Sequence, residues 1–167
     1  EKESIYRLTD EFSLFYLKFM HERKMNEKGK WIAKQATPSY ISWCGYAFEN
    51  ICIKHIVQIK QALQIGGVHS NSASWIFRGN KNDKGAQIDL LIDRADHCIN
   101  ICEVKFSTKQ FIIDKKYAAE LKNKMLVFRT HANTRKTPFL TFITTYGLLD
   151  NEYRQQSSNV PYCISRN

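Results

Sequence analysis

The sequence is poor in the residues that interrupt secondary structure and lacks the signatures of several specialised chains. Among 167 residues there are 3 prolines and 7 glycines, which excludes collagen-like and Pro/Gly-rich low-complexity chains. No apolar run is long enough to span a bilayer and no signal peptide opens the chain, so we expect a cytoplasmic protein with no membrane partner. The initial methionine is also missing, which indicates a piece of a longer protein.

The cysteines form no recognisable metal or redox motif. Their number is five, and no C-x-x-C pair occurs among them, so we expect neither a zinc site nor a redox pair. Free cysteines pack as small hydrophobes, and such cysteines fit a reducing cytosol. The five are Cys44, Cys52, Cys98, Cys102 and Cys163.

Positive charge is in excess and is concentrated in one segment. The formal net charge is +9, which favours a polyanionic partner such as DNA. Between Val104 and Lys136 there are nine Lys or Arg residues and two acids, Asp114 and Glu120. The basic excess therefore follows a single stretch of chain.

The pattern of apolar residues predicts one α/β domain with a mixed sheet. An aromatic-rich helix near the N-terminus is followed by a polar loop, Lys24–Lys30, and a second helix, Pro38–Leu63. The rest reads as three strands, a helix and a further strand, with a short additional strand at the end. The predicted elements after Leu63 are Ser74–Arg78, Ala86–Arg94, Cys98–Phe106, Asp114–Arg129, Phe139–Thr145 and Val160–Ile164.

The second and third predicted strands carry the candidate chemistry. In a hairpin centred on Asp96, Asp89 lies directly opposite Glu103, with Cβ atoms about 5 Å apart. Two carboxylates so placed repel unless a cation offsets them, and oxygen ligands of this kind select Mg²⁺ or Mn²⁺. Lys105 follows on the same side of its strand, where an ammonium can hold an attacking water. The alternative is that these residues form the ordinary solvated face of a sheet, as we interpret Asp93.

The helix after this hairpin carries a basic stripe. Lys115, Lys122 and Arg129 recur every seven residues, and Lys116 and Lys124 lie elsewhere around the helix. Contact with phosphates is the functional interpretation, and a solvated helix face is the alternative.

Strand-borne Asp89 followed by Glu103-Val104-Lys105, in an α-β-β-β-α-β order, resembles the PD-(D/E)XK nuclease superfamily. The resemblance implies a restriction-endonuclease-like core preceded by an extra N-terminal helix, with Asp89 and Glu103 as metal ligands and Lys105 as a catalytic residue. It also implies a further acid on the preceding helix, for which Glu49 is the candidate; the alternative is a Glu paired with a surface Lys. Two positions depart from the pattern: Ile88 replaces the proline, and Gln87 stands where many relatives carry an acid.

A second resemblance covers nearly the whole chain. The segments Ile5–Phe12, Phe15–Tyr16 and Gly45–Glu49 look like the C-terminal domain of a prokaryotic AAA-type ATPase family. This resemblance implies that residues 1–38 join an upstream ATPase and winged-helix region and that residues 39–167 form the nuclease-like domain. Since the sequence contains no G-x-x-x-x-G-K-[ST] motif, ATP would bind only in that upstream part.

Together these observations predict metal-dependent hydrolysis of DNA phosphodiesters. Asp89 and Glu103 would bind Mg²⁺ or Mn²⁺, Glu49 would assist, and Lys105 would position the nucleophile. The DNA backbone would contact the basic helix, at Lys115, Lys116, Lys122 and Arg129. Two alternatives remain open. One is an inactive nuclease-like module that binds DNA or a partner for an attached ATPase. The other is a protein-interaction domain in which the helix of Phe12–Phe19 packs on upstream domains. A homo-oligomer is compatible with each.

Overall fold

The computed structural model describes residues 8–21, 30–81, 84–156 and 162–164. The chain forms two compact units, Glu1–Ile51 and Cys52–Asn167, and the predicted domain boundary at residues 38 and 39 stays a prediction. In chain order the elements are α1 (Glu11–Phe15, continued by π-helical Tyr16–Met20), α2 (Lys30–Gln35), α3 (Pro38–Lys54), α4 (Ile56–Ala62), β1 (Ser70–Phe77), β2 (Ala86–Arg94), β3 (Cys98–Lys105), α5 (Lys115–His131), β4 (Thr137–Thr144), α6 (Glu152–Gln156) and β5 (Tyr162–Ile164).

The helical half of the chain differs from the prediction in two places. The predicted helix Pro38–Leu63 is two helices, because His55, with φ −104° and ψ 31°, leaves the helical conformation between α3 and α4. Helix α2 was not predicted, and most of the predicted loop Lys24–Lys30 lies outside the described residues. None of the described helices is both long and apolar enough to cross a membrane.

The sheet is mixed, as predicted. Its five strands follow the order β1-β2-β3-β4-β5; β1, β2 and β3 pair antiparallel, whereas β4 pairs parallel to β3 and β5 parallel to β4. Since parallel neighbours need a crossover, α5 joins β3 to β4. A crossover helix covers one face of the sheet. Accordingly, a buried hydrophobic cluster combines sheet residues such as Ile101 and Phe142 with Leu121 and Phe128 of α5.

The hairpin of β2 and β3 has the predicted register. Leu90 pairs with Cys102, Ile92 with Asn100, and the ladder continues to Asp93, so Asp96 lies at the centre of the turn. His97 closes the turn with a φ of 62°, in the left-handed region that histidine enters more readily than most residues. The ladder ends at Leu90 and Cys102, one pair short of Asp89 and Glu103.

A β-bulge explains where strict alternation fails along β2. On the β1 side the pairing jumps from Ala73↔Leu91 to Trp75↔Ile88, so Asp89 and Leu90 together oppose a single residue. Because of this extra residue, Ile88 packs in the same buried cluster as Leu91. Strict alternation would place Ile88 on one face with Leu90 and Ile92, away from the acidic side, and the bulge is the reason that it does not.

Candidate functional site

Glu103 lies in a buried environment rather than on a solvated face. Its side chain is only 5% exposed, because α5 covers this side of β3. One carboxylate oxygen, Oε2, accepts a hydrogen bond of 2.9 Å from the phenol of Tyr117, and the other, Oε1, is bonded by the ammonium of Lys124. Strict alternation would place only every second residue of β3, such as Cys102, in a core, but both faces of the strand are covered.

The start of α5 fixes the position of Tyr117, one of the two residues that hydrogen-bond Glu103. Asp114 is the N-cap of α5, and its side chain accepts the backbone N–H of Tyr117 at 2.7 Å. The ring of Tyr117 packs edge-on against Phe111 at 5.5 Å between centroids. Burial raises the pKa of the Tyr117 phenol well above its usual range, and the adjacent Glu103 carboxylate adds to the shift. The phenol therefore stays protonated and acts as a donor to Glu103.

Lys105 lies beside the same carboxylate. Its Nζ is 3.9 Å from Oε2 of Glu103 and 5.2 Å from the centroid of the Tyr117 ring. The lysine side chain is 35% exposed, so the ammonium reaches solvent, whereas the Glu103 side chain beside it is buried. A cation held in this way can also contact an anion that approaches from outside.

Asp89 lies within the bulge and is bonded to a polar neighbour. Its Oδ1 accepts a hydrogen bond of 2.6 Å from the side-chain amide of Gln87. Bulges re-aim side chains and are common beside active sites. Asp93, which we interpreted as plain solvated surface, has a side chain that is 45% exposed and that pairs with the ammonium of Lys136.

A groove of about 880 Å³ is lined by Gln87 and Lys124, the residues that bond the two carboxylates. One wall is the segment 84–87 at the start of β2, and the other is a row of α5 residues, Lys116, Ala119, Glu120, Asn123 and Lys124. Gln87 lines this groove and holds Asp89, while Lys124 lines it and holds Glu103. Each carboxylate is therefore one hydrogen bond away from the same groove.

The basic residues of α5 fall into two sets. Lys116 lines the groove, whereas Lys115, Lys122 and Arg129 are exposed and are not among the described residues that line it. Sequence reasoning missed Lys124 and Tyr117 as partners of Glu103. The signal was their spacing: positions 117, 121, 124 and 128 recur every three or four residues and so belong to one helix face, the face that meets the sheet.

The role of Glu49 as a further acid of the site remains a prediction. It lies on α3 in the first compact unit and is half-buried. The other candidate residues, Asp89, Glu103 and Lys105, belong to the second unit.

Two carboxylates, Asp89 and Glu103, are the side chains that could hold the predicted metal ion. Within the described part of the chain, no group of three or more His, Cys, Asp and Glu side chains is arranged to hold a metal. Mg²⁺ commonly uses one or two carboxylates and completes its shell with water and substrate phosphates. Oε1 of Glu103 is ion-paired with the ammonium of Lys124, so a metal ion would compete with Lys124 for this oxygen. Asp89 and Glu103 would be the protein ligands of such an ion.

A family model matches residues 15–127, and its description reads "Archaea bacterial proteins of unknown function" (DUF234). The chain belongs to this family. The match includes β1, β2, β3 and most of α5, so the hairpin and the residues around Glu103 are all within the DUF234 region.

One solved structure is similar, the crystal structure of the protein of unknown function AF1548. The sequences are 17% identical and the TM-score is 0.44, with 65% of this chain and 55% of that chain covered. The chain thus spans little more than half of that protein. No curated protein matches the sequence.

Proposed function

We propose that this DUF234 domain is a metal-dependent nuclease that hydrolyses DNA phosphodiesters. The observation that supports the proposal is the buried Glu103, held by Tyr117 and Lys124 with Lys105 at 3.9 Å, beside a groove with three lysines. Glu103 and Asp89 would bind Mg²⁺ or Mn²⁺, and the ion would supply Lewis-acid stabilisation of the phosphate. Lys105 would hold the attacking water.

The order of elements supports a restriction-endonuclease-like core as part of this proposal. A helix, three antiparallel strands, a crossover helix and a parallel strand follow one another along the chain, which is compatible with such a core. The resemblance of the N-terminal segments to an AAA-type family supports an upstream ATPase domain in the same polypeptide, where ATP would bind.

Cleavage is tested with supercoiled plasmid and Mn²⁺. We expect the protein to nick the plasmid and the Asp89→Asn variant to lose both nicking and Mn²⁺ binding, because the charged oxygen ligand is removed while the size of the side chain is kept. Asp96→Asn, an exposed aspartate of the β2–β3 turn, is the matched control. Nicking rates are read from gels and Mn²⁺ affinity from calorimetry; an Asp89→Asn variant with unchanged Mn²⁺ affinity would remove Asp89 from the metal site.

A module that binds DNA without cutting it is the second candidate. This candidate is favoured because the carboxylates already have partners within the protein. Gln87 donates a hydrogen bond to Asp89, and both oxygens of Glu103 are bonded by side chains of α5. Under this candidate the parent protein binds duplex DNA but does not nick it at saturating Mn²⁺.

The groove predicts which lysines bind the DNA backbone. We expect the double substitution of Lys84 and Lys116 by alanine to weaken duplex binding and to lower the log–log salt slope by about 2, since each phosphate that a lysine no longer neutralises lowers the slope by about 0.9. The double substitution of Lys115 and Lys122 changes the net charge equally but lies outside the groove lining, so its effect should be smaller. Fluorescence anisotropy across a salt series measures both; equal slopes for the two variants would mean that the groove has no special role.

A further inference from the structure

Lys124 has two different surroundings at once. Its ammonium bonds Oε1 of Glu103, and the same side chain, 24% exposed, lines the groove with Lys84 and Lys116. The lysine side chain is a flexible four-carbon chain with a compact charge at its end. The ammonium of Lys124 can therefore turn from Glu103 to an anion in the groove without any movement of α5.

In the described state Lys124 opposes the binding of a second cation to Glu103. The carboxylate is 5% exposed, Oε1 is bonded to Lys124, Oε2 accepts from Tyr117, and Lys105 is 3.9 Å away. A divalent ion that joined this group would meet two ammonium charges at short range in a poorly solvated site, where repulsion is weakly screened. Metal binding at Glu103 thus requires that Lys124 leave Oε1.

A phosphodiester backbone gives Lys124 an alternative partner. The groove wall carries three lysines against one acid, Glu120, a balance that favours a polyanion. With a phosphate in the groove, Lys124 can exchange one anionic partner for another and keep its own charge neutralised. The charge left on Glu103 then becomes available to a metal ion.

We propose that Lys124 couples DNA binding to metal loading: it closes the metal position on Glu103 in the free protein and opens it when DNA phosphate occupies the groove. This inference rests on the proposed nuclease function, and it adds an order of events to it. The protein would take up its metal chiefly when DNA is bound, and cleavage-competent metal would be scarce on the free protein.

The coupling predicts changes in both Mn²⁺ affinity and duplex affinity. A 12-base-pair DNA duplex should raise the affinity of the parent protein by about 10-fold, inside the 5- to 150-fold range of coupled sites. Lys124→Met should raise the affinity of the DNA-free protein by about the same factor and should reduce the effect of the duplex. By thermodynamic linkage, Mn²⁺ should tighten duplex binding to the parent protein by the factor that the duplex tightens Mn²⁺ binding.

The measurements are Mn²⁺ titrations followed by electron paramagnetic resonance at 4 °C, with a gel to verify that the duplex stays intact. The low temperature favours the folded state of Lys124→Met, and the titrations of the unsubstituted protein with and without duplex test the coupling even if this variant is unstable. Lys109→Met, which removes an exposed charge from the segment that follows β3, is the matched control and should leave DNA-free Mn²⁺ affinity unchanged.

The outcomes separate the two proposals. Mn²⁺ binding that is indifferent to the duplex would overturn the coupling alone, since the metal site itself would stand. A duplex effect that persists at full size in Lys124→Met would also overturn it, because the phosphate would then bind the metal directly without help from Lys124. Absence of Mn²⁺ binding to every variant, with and without DNA, would overturn both the coupling and the nuclease.

Discussion

Replacing Lys105 with alanine is expected to slow plasmid nicking at least about 100-fold, in line with the removal of one preorganised donor at other active sites. The reason is position: Nζ lies 3.9 Å from Glu103 Oε2 and its side chain is 35% exposed, so the ammonium can contact an incoming phosphate and the attacking water. The fold should be little affected. The interaction of Lys105 with the Tyr117 ring is a partly exposed cation–π pair, worth about 0.5–1 kcal/mol.

The comparison needs a control of equal charge. Lys109 is an exposed lysine in the segment that follows β3, so Lys109→Ala reports how removal of one positive charge alone changes the attraction of DNA. Nicking rates at saturating Mn²⁺ and thermal unfolding are measured for the parent and both variants. Equal nicking by the parent protein and Lys105→Ala would refute the catalytic role, and no nicking by any of them would favour the DNA-binding module.

The hairpin that carries the candidate residues could be predicted because its determinants are local. Alternating apolar residues and a short turn around Asp96 fix a register, and the observed pairs from Leu90↔Cys102 to Asp93↔Ile99 have that register. The bulge at Asp89 and Leu90 could not be predicted from the same pattern. It depends on how β2 pairs with β1 on its other side, which is a tertiary property.

The burial of Glu103 was missed for a related reason. A glutamate between Cys102 and Val104 fits a strand with one solvent-exposed face. The alternation of polar and apolar residues alone does not indicate that a helix covers that face. The covering follows from the parallel pairing of β3 with β4, which needs the crossover helix α5. Once the crossover is known, a buried carboxylate requires partners, and Tyr117 and Lys124 on the inner face of α5 supply them.

The basic helix shows the limit of reasoning from charge alone. A seven-residue repeat selected Lys115, Lys122 and Arg129 as the phosphate-binding stripe, and that assignment stays a prediction. The structure adds a distinction that the repeat does not contain, since Lys116 and Lys124 line a groove. Which face of an amphipathic helix lies beside a site depends on its rotation over the sheet, here fixed by buried Leu121 and Phe128.

The ion pair of Lys124 and Glu103 is expected to have the largest effect on stability. Lys124→Met leaves a carboxylate that is 5% exposed without its closest cation, and breaking a buried pair in this way costs about 3–5 kcal/mol. Because Lys105 remains 3.9 Å away, we expect about 3 kcal/mol, at the lower end of that range. Lys122→Met, on the exposed side of α5, should change the free energy of unfolding by no more than about 0.5 kcal/mol.

A double substitution distinguishes the loss of the ion pair itself from the cost of leaving one buried charge unpaired. Glu103→Met alone should cost less than Lys124→Met, because the Lys124 side chain is 24% exposed and can turn its ammonium to water, whereas Glu103 at 5% cannot. Combining the two substitutions removes both charges, and apolar replacement of a whole buried pair is often neutral or stabilising. The double variant should therefore unfold at a higher urea concentration than Lys124→Met, with a similar slope of free energy against urea. If the two single costs simply add, Glu103 does not depend on Lys124 for its burial, and the ion pair between them is incidental to the fold.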